Sequence, residues 1–239
     1  MKVLIILAHP EPASFNAALA ARGAAALRQA GHAVTISDLV AQDFDPRAGR
    51  HDFTGAADAA RFHYQSEQAH AVRTGGFCDE IAREQARVME ADLLVFQFPL
   101  WWGGVPAILK GWIERVLAYG FAYADGLRYE KGVFRGRRAM VSMTTGGLPQ
   151  RFGRGAAYGE LEDQVLWQLQ HLVLEYMGYT LERPFVAYGA PRVDAAQRAA
   201  YLDAFANRLL EAAARPVDRG QGITDPLSRV PDGAITANR

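Results

Sequence analysis

The chain has 239 residues and a mass of 26.2 kDa, enough for one sizeable α/β core with extensions. Its 26 Asp and Glu balance its 26 Lys and Arg, so no field-wide attraction to nucleic acid or to an anionic membrane is expected. Cys78 is the only cysteine, which excludes an intramolecular disulfide and a thiolate metal cluster, and the histidines contain no i,i+4 pair, so no metal is expected.

The apolar run 3–8, VLIILA, reads as a strand covered on both faces. It is shorter than a secretory core, and His9-Pro10-Glu11-Pro12 follows it where a cleavage site would need small residues. A cytoplasmic protein is expected, since no apolar segment approaches the ~20 residues needed to span a bilayer. Residues 14–30 are alanine-rich and predict a helix stopped by Gly31. AVTISDL predicts a second strand, residues 79–91 a helix, and DLLVFQF a third strand. Leu109, Trp112, Ile113, Val116 and Leu117 then mark one face of a helix, with Pro106 in its first turn and Glu114 and Arg115 as a solvated or interface charge pair. RAMVSMTT predicts a fourth strand, and 161–176 a long helix. TLERPFVAY predicts a last strand whose Pro184 marks a sheet edge or a bulge. A closing helix starts at Asp194, which has capping-box spacing to Gln197.

Strands alternating with helices imply a three-layer α/β/α sandwich around a five-stranded parallel sheet. Residues 1–215 would form this domain, with 40–77 as a long insertion whose aromatics favour packing, and 216–239 as a polar tail, disordered or laid on a partner. Ligands of such sheets bind beyond the carboxyl ends of the strands, and three unusual segments fall there.

The first is HPEPASFNAAL. It lacks the glycine patterns of a dinucleotide fingerprint or a phosphate loop, but Ser14 at a helix start leaves the amides of Phe15, Asn16 and Ala17 to hold an anion. His9 lies beside it. The second, FPLWWGGVP, offers Pro99, Leu100, Trp101 and Trp102 as walls for a planar ring, while Gly103 and Gly104 permit close backbone approach. In the third, TTGGLPQRFGRGAAYG, Thr144 and Thr145 supply hydroxyls, and Gly146 and Gly147 supply inward N–H groups to stabilise negative charge on a bound ring. No GxSxG elbow supports a hydrolase.

Together LAHPEPASFN, VFQFPLWWGGVPAILKGWIERV, the GFAY of 120–123, KGVFRGRRA and TTGG closely resemble the flavin-dependent NAD(P)H:quinone oxidoreductases, the DT-diaphorase family, over about residues 2–210. The resemblance implies a flavodoxin-like fold, FAD in preference to FMN, a homodimer, and ping-pong two-electron hydride transfer from NADH or NADPH to quinones. By motif position, His9, Ser14, Phe15, Asn16 and Ala18 would hold the pyrophosphate side of the cofactor. Pro99, Leu100, Trp101, Trp102 and Gly103 would flank its ring, Thr144, Thr145, Gly146 and Gly147 its polar edge, and Arg198 its adenosine half. Trp102, Tyr123, Phe152 and Tyr158 would meet the substrate, Tyr123 from across the dimer interface, with Tyr158, Gly146 and Gly147 in catalytic roles.

Two departures stand out. Where mammalian members place a tyrosine and a histidine that handle protons, this chain has Phe152 and Tyr158, so Tyr158 is expected to serve the quinone oxygen while Arg151 or Arg154 offsets charge. Gly103 replaces a phenylalanine and opens the pocket. The alternatives are a flavin-binding regulatory subunit of a potassium efflux system, and a nitro- or azo-compound reductase that shares the mechanism and differs in its acceptor.

Overall fold

A computed structural model describes residues 1–230. The first four strands form where the sequence predicts them: β1 (Lys2–Leu7), β2 (Ala33–Asp38), β3 (Leu93–Pro99) and β4 (Arg138–Thr144). The fifth position is occupied by two short segments, β5 (Thr180–Leu181) and β6 (Phe185–Ala187), which pair with opposite ends of β4. Pro184 lies between them; it has no N–H to donate to a ladder, which is why one predicted strand becomes two at the sheet edge. All pairings are parallel, in the order β2-β1-β3-β4-β5, the flavodoxin-like order.

Burial on both faces follows from alternation along the strands. Val3, Ile5 and Leu7 pack against Leu19 and Leu27 of α1 (Phe15–Gln29) and against Phe205 and Leu209 of α6 (Ala195–Ala213). Leu4, Ile6 and Phe96 face the other way, toward helices α3 (Asp79–Glu90) and α4 (Ala107–Val116), with Trp112 at 0% exposure. The indole N–H of Trp112 donates to the buried Glu84 carboxylate at 2.8 Å.

Several local expectations are corrected. Pro106 is the N-cap of α4, one residue before the helix, because its extended backbone delivers the chain to Ala107. The segment predicted as one long helix consists of π-helical turns at Leu161–Val165 and Gln170–Glu175 around a short α5 (Trp167–Leu169). The long insertion contains an unpredicted helix, α2 (Tyr64–Thr74), capped by the His63 side chain and ended by a left-handed Gly75. Its aromatics do pack: Phe53 lies 5.6 Å from Tyr64 and 5.8 Å from Phe77, ring centre to ring centre.

Arg115 is a further correction, for it is neither solvated nor paired with Glu114. It is 1% exposed and donates to Asp52 (0% exposed, 2.9 Å), to Glu80 and to the Asp45 carbonyl, while Glu114 pairs with Lys110. Asp52 also accepts from the Tyr64 hydroxyl; burial first, then this carboxylate, pushes the Tyr64 phenol well above its ordinary value. The insertion crosses α4 so closely that a Cβ on Gly111 would stand 2.1 Å from the Pro46 carbonyl oxygen.

The described part of the expected tail, 216–230, lies on this same chain. The Asp218 amide donates to Gly136 O, the Ile223 amide to Val133 O, and Arg219 reaches Asp92 at 2.6 Å. The rest of the tail lies outside the described residues. No helix among them is long and apolar enough to cross a membrane.

Removing one member of a buried ion pair leaves the other charge uncompensated. Arg115→Ala should therefore lower the unfolding free energy by about 3–5 kcal/mol, read as an earlier urea midpoint; a loss within experimental error would mean that this pair does not hold the insertion.

Candidate active site

Because β1, β3 and β4 are neighbours in a parallel sheet, the three loops singled out in the sequence leave it side by side. Each touches the next. The His9 ring stands 5.9 Å from that of Trp101, and the Leu100 amide donates to Thr144 O at 2.8 Å. The Asn16 side chain donates to Thr144 Oγ1 at 2.9 Å.

Helix α1 begins at Ser14, whose Oγ accepts the Ala17 amide at 3.1 Å. That takes Ala17 out of the expected anion-holding set. The amides of Phe15 and Asn16 precede it in the first turn, where no helical carbonyl reaches them, so they remain suited to an anion. Ala18 is exposed on the same turn. The Asn16 side chain is also tied into the sheet, since its carbonyl accepts from Gln97 Nε2 at 2.9 Å and Gln97 Oε1 accepts from Ser142 at 2.6 Å. His9 Nδ1 accepts the Glu11 amide at 3.0 Å, which orients the ring and leaves its other nitrogen. The Arg198 guanidinium lies over the Phe15 ring at 5.6 Å, so the last helix does bring this arginine to the first loop.

In the second loop, Trp101 and Gly104 exchange hydrogen bonds of 3.1 and 2.9 Å around Trp102 and Gly103, which have φ of +50° and +74°. Positive φ at both central residues defines a type I′ turn. For glycine this conformation is easy; for tryptophan it is strained. The turn holds both indoles outside the core, Trp102 fully exposed and Trp101 nearly half exposed. Pro99 is buried and Leu100 partly so.

The third loop corrects another expectation. The Gly147 amide is already bonded to Thr145 Oγ1 at 3.0 Å, and a Cβ there would meet the Tyr158 ring at 2.7 Å and the Phe152 ring at 3.0 Å. Gly147 thus provides space, not an N–H. The Gly146 carbonyl accepts from Arg192 at 2.9 Å. Phe152 packs 5.2 Å from Tyr158 and 5.4 Å from Tyr188, and Tyr158 keeps its phenol at the surface. Tyr123 lies apart from these loops. It borders a depression of about 570 Å³ with Ile113, Leu172 and Tyr176, and its hydroxyl accepts from Gln65 at 3.2 Å.

Gln97, Ser142 and Arg192 were not anticipated. The first two were detectable as polar residues inside apolar strands, since a buried amide or hydroxyl must find a partner; nothing local marks Arg192.

This geometry defines a doubly wound α/β protein in which the start of α1, an exposed indole pair and a threonine-glycine loop meet at the tips of neighbouring strands. A model of the flavodoxin-like fold matches residues 1–211, and the chain belongs to that family. It is 44% identical over 189 residues to NAD(P)H dehydrogenase [quinone] 1 of Cavia porcellus, covering 79% of this chain and 68% of the relative. To human ribosyldihydronicotinamide dehydrogenase [quinone] it is 38% identical over 209 residues, covering 87% and 90%. A Klebsiella pneumoniae protein solved as a candidate quinone reductase superposes with a TM-score of 0.84 at 39% identity, covering 91% of this chain and 86% of the other.

Asparagine tolerates the left-handed region far better than tryptophan. Trp102→Asn should raise the stability of the ligand-free protein by about 1 kcal/mol while weakening its hold on a planar ligand; a lower melting temperature for this variant would refute the strain.

Proposed function

We propose that the protein is a flavin-dependent NAD(P)H:quinone oxidoreductase. The observation that carries this reading is the convergence of a free helix start, solvent-facing indoles and a threonine-glycine loop at the tips of β1, β3 and β4. The donor set suits a flavin nucleotide: amides for phosphate, flat apolar surface for a ring, and hydroxyl and amide groups for the ring's polar edge. When bound, the flavin supplies storage for two electrons between donor and acceptor.

The chain's own residues do the rest. Phe15 and Asn16 N–H groups bind phosphate, Trp101 and Trp102 orient a planar ring and exclude water, and Thr144, Thr145 and Gly146 border its polar edge. FAD is the cofactor supported best, because the Arg198 guanidinium over the Phe15 ring puts a cation beside the helix start for an adenosine half to meet. Tyr158, whose amide donates to the Arg151 carbonyl at 2.9 Å, gives its phenolic proton toward the quinone oxygen, and Arg151 or Arg154 offsets negative charge. Nicotinamide and quinone use one slot in turn. The apolar depression bordered by Tyr123 supports a homodimer in which that residue serves the opposite site.

Heat-released cofactor identified by mass should be FAD. Oxidation of NADH, NADPH and ribosyldihydronicotinamide with a simple quinone should give parallel double-reciprocal lines. A yellow protein that turns over none of them would be a regulatory subunit instead. Tyr158→Phe should cost about 10²-fold in kcat/KM; quinone turnover unchanged over a pH series would remove this residue from proton transfer.

A further inference from the structure

Beside the indole turn lies a second, smaller cavity of about 290 Å³. It is bordered by Leu100, Gly103 and Gly104 and walled by Phe98, Val165, Leu169 and Val173. A Cβ on either glycine would meet nothing within 4 Å, so the space beside both is open. Lys110 and Gln168 are the polar side chains that border it, and the Lys110 ammonium is already held by Glu114.

Its size and lining select its occupant. At the small end of ligand pockets, it cannot take a dinucleotide or a flavin, and its walls offer few partners for a polar group. Apolar cavities stay dry and gain by accepting hydrocarbon. Leu100 and Gly103 belong both to this cavity and to the proposed ring site, so one molecule spans the two if its head is planar and its tail apolar.

We propose that the cavity is a tail subsite, and that the acceptors this enzyme prefers are quinones bearing an alkyl or prenyl chain. The inference rests on the quinone reductase reading and narrows its substrate class. Phe98, Val165 and Leu169 bury the chain while the ring stays at the indoles. Gly103 and Gly104 act by what they lack, since a large side chain at either position would close the entrance.

The test compares a benzoquinone without a tail with the same ring carrying a pentyl or a decyl chain. In the wild-type holoenzyme, kcat/KM should rise with tail length by at least about tenfold, chiefly through KM. Val165→Trp fills the cavity from a residue outside the proposed catalytic machinery, and should abolish the increment while leaving the tailless quinone unaffected. Val165→Leu gives a partial loss should the larger side chain not fold. Calorimetric titration with the decyl hydroquinone should show the same ranking without turnover. Equal kcat/KM for all three quinones, or an increment that survives Val165→Trp, overturns the tail subsite and leaves the quinone reading standing. A Val165→Trp protein that loses its dimer in sedimentation but keeps the increment would assign the cavity to a subunit contact. Failure to reduce even the tailless quinone would overturn the function itself.

Discussion

Four buried polar side chains hold this molecule's working edge together. Asn16 on the first turn of α1, Gln97 on β3, and Ser142 and Thr144 on β4 form one hydrogen-bonded chain inside a sheet otherwise filled by aliphatic and aromatic groups. In such surroundings a polar group left without a partner costs about 1–3 kcal/mol, so the chain tolerates one arrangement of α1 against the two strands. Three loops that would drift independently are thereby set in register, and the amides at the start of α1 come to face the same space as the indole turn.

Rigidity below permits strain above. Trp102 sits in a backbone region that costs an L residue of its bulk roughly 1–2 kcal/mol, and its indole recovers nothing by packing, being fully exposed. Exposed aromatic surface held in a strained turn on a rigid base suits the planar ligand proposed for it. Gly103, beside it, has no strain to bear and no side chain to block the cavity behind.

The long insertion solves a different problem. Residues 40–77 must cross α4 without leaving their backbone groups unsatisfied, and they do so around one buried guanidinium. Arg115 suits this use because its planar fork serves several acceptors at once, which a lysine could not. Clamped in this way, α2 brings Gln65 to Tyr123 and helps shape the apolar depression beside it.

Much of this was legible from local pattern. The apolar runs of β1, β3 and β4, the caps at Ser14 and Asp194, and the break at Pro184 each follow from the chemistry of a few adjacent residues, and the alternation of strand and helix then placed the three loops at one edge. Local pattern cannot say whether a donor is already taken. Thr145 consumes the Gly147 amide, Gln97 consumes the Asn16 carbonyl, and Arg115 lies inside on a helix where its neighbour Glu114 lies outside. The Asn16 and Arg115 outcomes depend on partners 81 and 63 residues away in the chain, and only the folded chain, which must pair every buried polar group it encloses, decides them.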